Sequence, residues 1–350
     1  MNKIIVPTGY MGSGSSAITD LISEFKDCQN EFKDYEYILL HCPNGLFDLE
    51  DKLLKGNNAI RSDEAIRSFE SQMNKLYNKK FLWVGNYEKI IGKEFKEITK
   101  EFISKIQEYN FEGFWYTHEE VDFKMFIKLL LQKPFKIISR NKINFRKVLK
   151  YNDGMRISYI KEKEFYKYAN EYITKVVDCI AKGKKNIILD QFLLPFNLYR
   201  IDNYFGNELK VIVVERDPRD VFILNKYIWP QKNLCVPMPK EVKEFCKFYK
   251  GMRESEISCK SEKVLRIKFE DLIYNYEKEV EKITNFLDFK KENHINKMNR
   301  FNPNISIKNT QLFRKKEYEE EIKIIEKELK NYLYDFKEEL NNDVINTVEF

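Results

Sequence analysis

Four short runs of apolar, mostly β-branched residues set the strongest limit on how this chain of 350 residues can fold. Each run is continuous rather than alternating, and each leads into a polar turn followed by a helical pattern. A continuous apolar run is typical of a strand that is covered on both faces, so the pattern predicts a mostly parallel sheet with helices on either side. The predicted strands are Lys3–Pro7, Asn186–Asp190, Lys210–Val214 and Val264–Phe269, and the predicted helices include Ser16–Phe25, Pro218–Tyr227, Pro239–Arg253 and Tyr276–Leu287.

The first and second predicted strands are roughly 180 residues apart, which is too long for one crossover connection. Much of this stretch has helical periodicity, so we interpret residues 44–160 as a helical insertion that caps the acceptor side of the site in a single domain, 1–350. A helix over Lys161–Ala181 then returns the chain to the sheet. The pattern of apolar and charged residues over Glu317–Phe336 predicts a final amphipathic helix.

The composition limits the classes of ligand and location that fit this chain. The 61 basic and 55 acidic residues give a net charge of +6, which is too mild to indicate a nucleic acid but suits an anionic small molecule in one basic cleft. The six cysteines form no CxxC pair and there are three histidines, so we expect no metal site. The sequence shows neither a signal sequence nor a long apolar span, so we expect a cytoplasmic protein that does not span a membrane. The sequence does not decide the oligomeric state.

A glycine- and serine-rich turn follows the first predicted strand, over Gly9–Ser16. A strand, such a turn and a helix N-terminus together make an anion site, because backbone N–H groups converge there. The glycines permit close approach and positive φ angles, and the serine hydroxyls are further donors. Ser15 occupies the position where a P-loop NTPase carries its lysine, which counts against ATP as the donor. A plain turn is the alternative interpretation.

Arg216 comes directly after the third predicted strand, and Asp217-Pro218 then opens a helix, where proline suits the first turn. At the carboxyl end of a strand, a fixed guanidinium can bind a phosphate through two parallel hydrogen bonds. A structural ion pair of Arg216 or Arg219 with Asp217 or Asp220 fits the residues equally well. Both interpretations stay open at this stage.

These segments together resemble the sulfotransferases that use 3′-phosphoadenosine-5′-phosphosulfate (PAPS). The turn Ser13–Ser16 resembles the 5′-phosphosulfate loop of that family, and Arg216–Asp220 resembles its 3′-phosphate motif. The stretch Val264–Phe289 resembles its Glu-Asp-Leu strand and the helix that follows. The resemblance covers the first 25 residues and about 190–220 and 240–290. It implies a P-loop-type three-layer α/β/α fold, PAPS as the cosubstrate and no metal.

Two positions depart from the family's pattern. Gly12 stands where the family carries a lysine or arginine before the loop, and Leu224, followed by Asn225, stands where it often carries a serine that contacts the 3′-phosphate. Either other cations (Arg219, Lys226, Lys308 or Arg314) supply the charge, or the donor site is altered. A late loop closes over the 3′-phosphate in the family, and Ser306–Lys316 is its counterpart here. The expected donor-binding residues are Gly12, Ser13, Gly14, Ser15, Ser16, Arg216, Asn225, Arg314 and Lys315.

A base near the carboxyl ends of the strands is needed to take the acceptor's proton. His41 is the first candidate, because Tyr37–Leu40 reads as a strand that ends at it and because a histidine titrates near working pH. A core or capping histidine is the alternative. Asp190, at the end of another predicted strand, is the second candidate for the base or a substrate ligand. Glu36 and Asp48 are weaker candidates, and Glu270-Asp271 is interpreted as a structural cap at a helix start.

The resulting hypothesis is a bacterial-type sulfotransferase that moves a sulfuryl group from PAPS to a hydroxyl or amine of a sugar or surface-polysaccharide acceptor. The alternatives are a P-loop kinase of a small molecule and a catalytically silent nucleotide-binding protein on the same fold. A basic run with interleaved aromatic residues, Lys136–Lys150, either binds an anionic acceptor or forms a solvated helix face.

Overall fold

The computed structural model describes residues 3–28, 35–81, 83–113, 123–140, 153–232 and 237–336. The strands are β1 (Lys3–Gly9), β2 (Lys80–Phe81), β3 (Val84–Gly85), β4 (Tyr109–Gly113), β5 (Asp153–Ile157), β6 (Asn186–Ile188), β7 (Leu209–Glu215) and β8 (Val264–Lys268). The α-helices of the first half are α1 (Ser16–Ile22), α2 (Leu46–Leu54), α3 (Ala59–Asn78), α4 (Tyr87–Ile90), α5 (Glu94–Ile106), α6 (Phe123–Ile138) and α7 (Glu162–Ala181). Those of the second half are α8 (Ile201–Tyr204), α9 (Pro218–Ile223), α10 (Val242–Glu254), α11 (Phe269–Tyr274), α12 (Tyr276–Phe286), α13 (Pro303–Ser306) and α14 (Glu319–Glu328).

The central sheet has four parallel strands in the order β6-β1-β7-β8, and each of them is one of the four predicted runs. The central strand β1 pairs with β6 through Ile5 opposite Ile188 and with β7 through Val6 opposite Val211. The prediction of an α/β fold with a mostly parallel sheet flanked by helices is therefore confirmed, and the arrangement is compatible with three α/β/α layers.

Both faces of the sheet are buried, which explains why the strands read as continuous apolar runs. Ile5 and Ile212 lie in a core cluster with residues of α1, α11 and α12 on one face. On the other face, Val6, Val211 and Val213 are fully buried. Successive strand residues point to opposite faces, so neither face tolerates polar residues when both are covered.

The chain divides into two compact units. Unit 1 comprises Met1–His41, Lys80–Gly85 and Val177–Phe350 and contains the central sheet, whereas unit 2 comprises Cys42–Lys79 and Asn86–Val176. In unit 2, α3 packs against α2, α5 and β5. Most of the predicted insertion, 44–160, thus lies in unit 2. This unit also contains an antiparallel pair of strands, β4 and β5, which the prediction of a helical insertion did not include.

The predicted strand Tyr37–Leu40 is wrong. These residues make no ladder, and the chain turns at Leu39–His41. Their side chains are nevertheless largely buried, with Tyr37 2% and Leu40 0% exposed. The apolar run therefore reflects burial in the core rather than sheet pairing, two causes that a short run cannot distinguish.

Several predicted helices differ in their ends. The predicted helix Pro218–Tyr227 is α-helical to Ile223 and continues as a π-helix over Leu224–Ile228. The predicted final helix Glu317–Phe336 is shorter, because only Glu319–Glu328 is α-helical. Among the helices that the structure describes, none is both long and apolar enough to cross a membrane.

Candidate functional site

A cleft of about 730 Å³ lies at the carboxyl ends of β1, β6 and β7. Its volume is typical of sites for small molecules and cofactors. The turn after β1 forms one side, Asp190 and Gln191 follow β6, and Arg216 follows β7. All the residues that line this cleft belong to unit 1. The parallel sheet thus brings together three segments that are far apart in the sequence, at the edge where such folds bind ligands.

The turn after β1 requires glycine at two positions. Gly12 and Gly14 have φ angles of +79° and +85°, in the left-handed region that residues with a side chain rarely adopt. A Cβ atom on Gly12 would lie 2.7 Å from Cη2 of Trp229, and one on Gly14 would lie 2.9 Å from Cδ2 of Phe269. Backbone conformation and available space therefore both select glycine here.

The same turn presents hydrogen-bond donors that no described part of the chain uses. The backbone N–H groups of Gly12, Gly14, Ser15 and Ser16 have no acceptor among the described residues. Ser13 is 2% exposed, and its hydroxyl likewise has no partner there. Buried polar groups are normally hydrogen-bonded. Converging donors of this kind form a concave site for an oxyanion such as a phosphate or sulfate group.

Replacing Gly12 with alanine is expected to distort this turn. The Gly12→Ala variant should lose about 1–2 kcal/mol of stability from the left-handed backbone alone, plus the cost of displacing the Trp229 ring. Gly183→Ala is the matched control, because Gly183 has a similar φ of +84° but no atom within 4 Å of the added Cβ. Urea unfolding of both variants measures the difference. Equal losses of stability would contradict the close contact at Gly12.

Arg216 lies in the cleft with its guanidinium directed at the turn. Its Nη1 donates to the carbonyl oxygen of Gly12 at 3.2 Å, and its Nη2 donates to the carbonyl oxygen of Asn309. The guanidinium carbon lies 4.6 Å from the ring centroid of Phe269. Arg216 is 7% exposed, and its Nε has no acceptor among the described residues. The side chain is therefore held in place by contacts that leave a donor available.

Two buried carboxyl groups lie near Arg216. Asp220 accepts the backbone N–H groups of Gln311 and Leu312 at 2.8 and 2.7 Å. Burial raises the pKa of Asp220 to about 7, although the charge of Arg216 opposes the shift. Burial likewise raises the pKa of Glu270 to about 8. Both pKa values lie above those of exposed carboxyl groups, so ionising these groups costs stability as the pH rises from about 4 to 8, and Arg216 offsets part of that cost.

Asp190 lies on the cleft wall immediately beyond β6. Thr19 Oγ1 donates to its Oδ2 at 2.7 Å, and its Oδ1 is buried with no partner among the described residues. Burial is the main cause that raises the pKa of Asp190 to about 7, and the nearby carboxyl groups of Glu36 and Asp20 raise it further. A carboxyl group with this pKa is half ionised near neutral pH, which suits a general base.

His41 also lines the cleft, but its properties differ from those expected. Burial lowers the pKa of the imidazole to about 4, so the ring is neutral at working pH. Its Nε2 lies 2.7 Å from the carbonyl oxygen of Gln191 and therefore carries the hydrogen, since a carbonyl only accepts. The expectation that His41 titrates near working pH is therefore wrong. Of the two candidates, Asp190 has the pKa that suits a base near neutral pH.

Gln191 connects these groups to the turn. Its side-chain Nε2 donates to Ser15 Oγ at 2.9 Å, and its Oε1 accepts from Thr8 Oγ1 at 3.0 Å. Its backbone is left-handed, with a φ of +54°. Ser15 is thus held by a neutral amide in the position where a kinase loop has its lysine.

Glu36 and Trp83 form the part of the cleft wall near Asp190. Trp83 Nε1 donates to Glu36 Oε2 at 3.1 Å, and half of the Trp83 surface is exposed. Burial raises the pKa of Glu36, and the hydrogen bond from Trp83 opposes the shift. This wall combines carboxyl groups with an aromatic face, which suits the hydroxyl or amino groups of a polar acceptor.

Several predicted site residues lie outside the lining of this cleft. Asn225 is buried, and its Nδ2 donates to the carbonyl oxygen of Pro239 at 2.9 Å. Arg219 forms an ion pair with Asp217 at 2.7 Å, as the structural alternative had it, and Lys226 pairs with Glu321. Asn225 and Arg219 were thus predicted as donor-site candidates from their place in a motif, but their side chains are held by contacts with neighbouring residues. The cleft lining also lacks Ser13, Asp48, Lys308, Arg314 and Lys315.

Sequence reasoning missed Arg300, which lines the cleft from the segment that follows α12. Glu24 positions this segment, because its buried carboxylate accepts the backbone N–H groups of Met298, Arg300 and Phe301 at 2.8–3.1 Å. His294 Nε2 lies 2.7 Å from the same carboxylate. Nothing in the sequence near Arg300 marks it, since its place depends on a contact with a residue more than 270 positions away.

The chain has no match among family models, curated proteins or solved structures. Within the described ranges, no group of three or more His, Cys, Asp or Glu residues has an arrangement that can hold a metal ion.

Proposed function

We propose that this chain is a sulfotransferase that uses PAPS as its donor and transfers the sulfuryl group to a hydroxyl or amine of a sugar-type acceptor. The observation that carries the proposal is the contact between Arg216 and the carbonyl oxygen of Gly12. The two segments that resemble the 5′-phosphosulfate loop and the 3′-phosphate motif meet in one cleft, although more than 200 residues separate them.

The groups in the cleft fit an anionic donor. The unused N–H groups of the turn can bind oxygens of a 5′-phosphosulfate. Arg216 and Arg300 are the cations on this cleft that can bind a 3′-phosphate. Arg216 also places positive charge beside Gly12, where the family pattern would have a basic side chain. Leu224, at the position of the missing serine, is buried and 6% exposed, so another group must serve the 3′-phosphate.

Sulfuryl transfer then requires the removal of a proton from the acceptor. In this proposal Asp190 takes that proton, since it lies in the same cleft as the turn and its pKa is about 7. The acceptor oxygen or nitrogen forms a bond to sulfur as the bond from sulfur to the bridging oxygen of the donor breaks. Adenosine 3′,5′-bisphosphate leaves, and the turn's N–H groups stabilise the charge on that oxygen.

A small-molecule kinase is the second candidate, because the same turn can bind the phosphates of ATP. Ser15 counts against it, since the hydroxyl is held by Gln191 and cannot replace a lysine that reaches the β- and γ-phosphates. A catalytically silent nucleotide-binding protein is the third, and it differs from the first only in turnover.

Calorimetric titration separates these proposals. The protein is titrated with adenosine 3′,5′-bisphosphate and, separately, with ATP plus magnesium. We expect binding of the bisphosphate that is at least about tenfold tighter than that of ATP, because Arg216 and Arg300 line the cleft and can bind its second phosphate. Tighter binding of ATP with magnesium would support the kinase, and no binding of either ligand would contradict both enzymes. Bisphosphate binding without product formation across an acceptor screen would support the silent protein.

A further inference from the structure

Helix α6 exposes an unusual number of large apolar side chains. Seven of them are between 40% and 77% exposed: Phe126, Ile127, Leu130, Leu131, Phe135, Ile137 and Ile138. At about 100° per residue, these seven positions fall within about 180°, or one half, of the helix circumference. Single exposed apolar residues are ordinary on a protein surface, whereas a contiguous patch of this kind marks an interaction site.

The charge of the same region is just as uneven. Between Phe123 and Arg140 the sequence has five Lys and Arg residues and no Asp or Glu. The remaining 56 basic residues of the chain are nearly balanced by 55 acidic ones, so this segment carries five of the six units of net charge. Lys136 and Arg140, at the end of the described helix, are exposed. We call residues 123–140 the basic apolar segment.

We propose that the basic apolar segment binds the surface of an anionic lipid bilayer, with the exposed apolar face of α6 inserted between the headgroups. Charge complementarity selects this partner, because the segment adds five positive charges and no negative ones to an apolar face. A helix that lies in the membrane interface has this combination of an apolar face, basic residues and no acidic residues. The long stems of lysine and arginine also let their charges reach the lipid phosphates from a buried helix.

The same charge argues against the other occupants. A second copy of the chain would bring two segments of charge +5 together, with no acidic residue in either to offset the repulsion. A nucleic acid would match the charge but would leave the apolar side chains in water. An anionic bilayer satisfies both features at once. This inference does not depend on the reaction that the cleft performs.

Cosedimentation of the full chain with lipid vesicles tests the proposal. Vesicles of phosphatidylcholine with phosphatidylglycerol should bind the protein at least about tenfold more tightly than vesicles of phosphatidylcholine alone, and added salt should weaken the binding. The double variant Leu130→Asp/Leu131→Asp should lose most of this binding. The control Ile295→Asp/Ile305→Asp changes two apolar residues of unit 1 that are 60% and 67% exposed, and it should bind as the wild type does.

Circular dichroism shows whether each variant keeps its fold. If the Leu130→Asp/Leu131→Asp variant unfolds, Ile137→Ser/Ile138→Ser replaces it, because both positions are 77% exposed. The proposal is overturned by equal binding to neutral and anionic vesicles, by full binding of the α6 variant, or by no binding at all. A dimer in sedimentation velocity that dissociates in the α6 variant would also overturn it, since the apolar face would then join two copies.

Discussion

The Arg216→Ala variant is expected to bind adenosine 3′,5′-bisphosphate about 100-fold more weakly than the wild type, or not at all. Arg216 is the cation that contacts the glycine turn, and its buried Nε has no acceptor among the described residues. The variant should also lose about 3 kcal/mol of stability, because the hydrogen bonds from the buried guanidinium to the carbonyl oxygens of Gly12 and Asn309 would be lost. Calorimetry measures the binding and urea unfolding measures the stability.

Arg219→Ala is the matched control for this variant. Arg219 is also largely buried and also donates hydrogen bonds to neighbouring groups, among them the buried carboxylate of Asp217, but it does not line the cleft. Its removal should therefore destabilise the fold by a similar amount, about 3 kcal/mol, and leave the bisphosphate affinity within about threefold of the wild type. If both variants lost bisphosphate affinity equally, the loss would result from a destabilised fold rather than from a missing ligand contact. If Arg216→Ala bound normally, the donor site would be misplaced.

The fold was predictable because its main features are local in the sequence. A continuous β-branched run, such as Lys210–Val214, indicates a strand covered on both faces, and the turn and helix that follow give the order of elements. The predicted strand at Tyr37–Leu40 was wrong, because there the same apolar signal comes from burial without pairing. Pairing is a property of two segments, so one run viewed alone cannot show it.

The residues of the cleft divide in the same way. The glycine turn and Arg216 carry a local signal, because each directly follows a strand whose carboxyl end must lie at one edge of the sheet. Trp229 and Arg300 carry none, since their positions follow from contacts between distant segments. Arg219 shows the converse, because a motif offered two arginines and only tertiary contacts decide which one is held by Asp217.

Which of His41 and Asp190 has its pKa nearer neutrality also could not be predicted from the sequence. An isolated histidine titrates closer to neutrality than an aspartate, so composition ranks the histidine first. Burial acts on the two groups in opposite directions, because it disfavours the charged form of each. It lowers the pKa of His41 to about 4 and raises that of Asp190 to about 7. The environment thus reverses the ranking.

The Asp190→Asn variant is expected to lower kcat for sulfuryl transfer about 10²–10⁴-fold, the usual range for removing a general base. Asparagine can still accept the hydrogen bond from Thr19 Oγ1, so the fold and the bisphosphate affinity should change little. The measurement is the rate of transfer from PAPS to an acceptor that the screen identifies. A variant with near-normal kcat would remove Asp190 from the proposed reaction.

The pH dependence then identifies the base. A carboxylate base works in its ionised form, so kcat/KM should fall about tenfold per pH unit below a pKa of about 7 and level off above it. If His41 were the base, its pKa of about 4 would keep kcat/KM constant down to that pH.

The Thr19→Val variant provides the internal check. The hydroxyl of Thr19 lowers the pKa of Asp190, so its loss should move the acidic limb of the profile to higher pH. A purely structural role for Thr19 would leave that limb in place, so its displacement would assign the titrating group to Asp190.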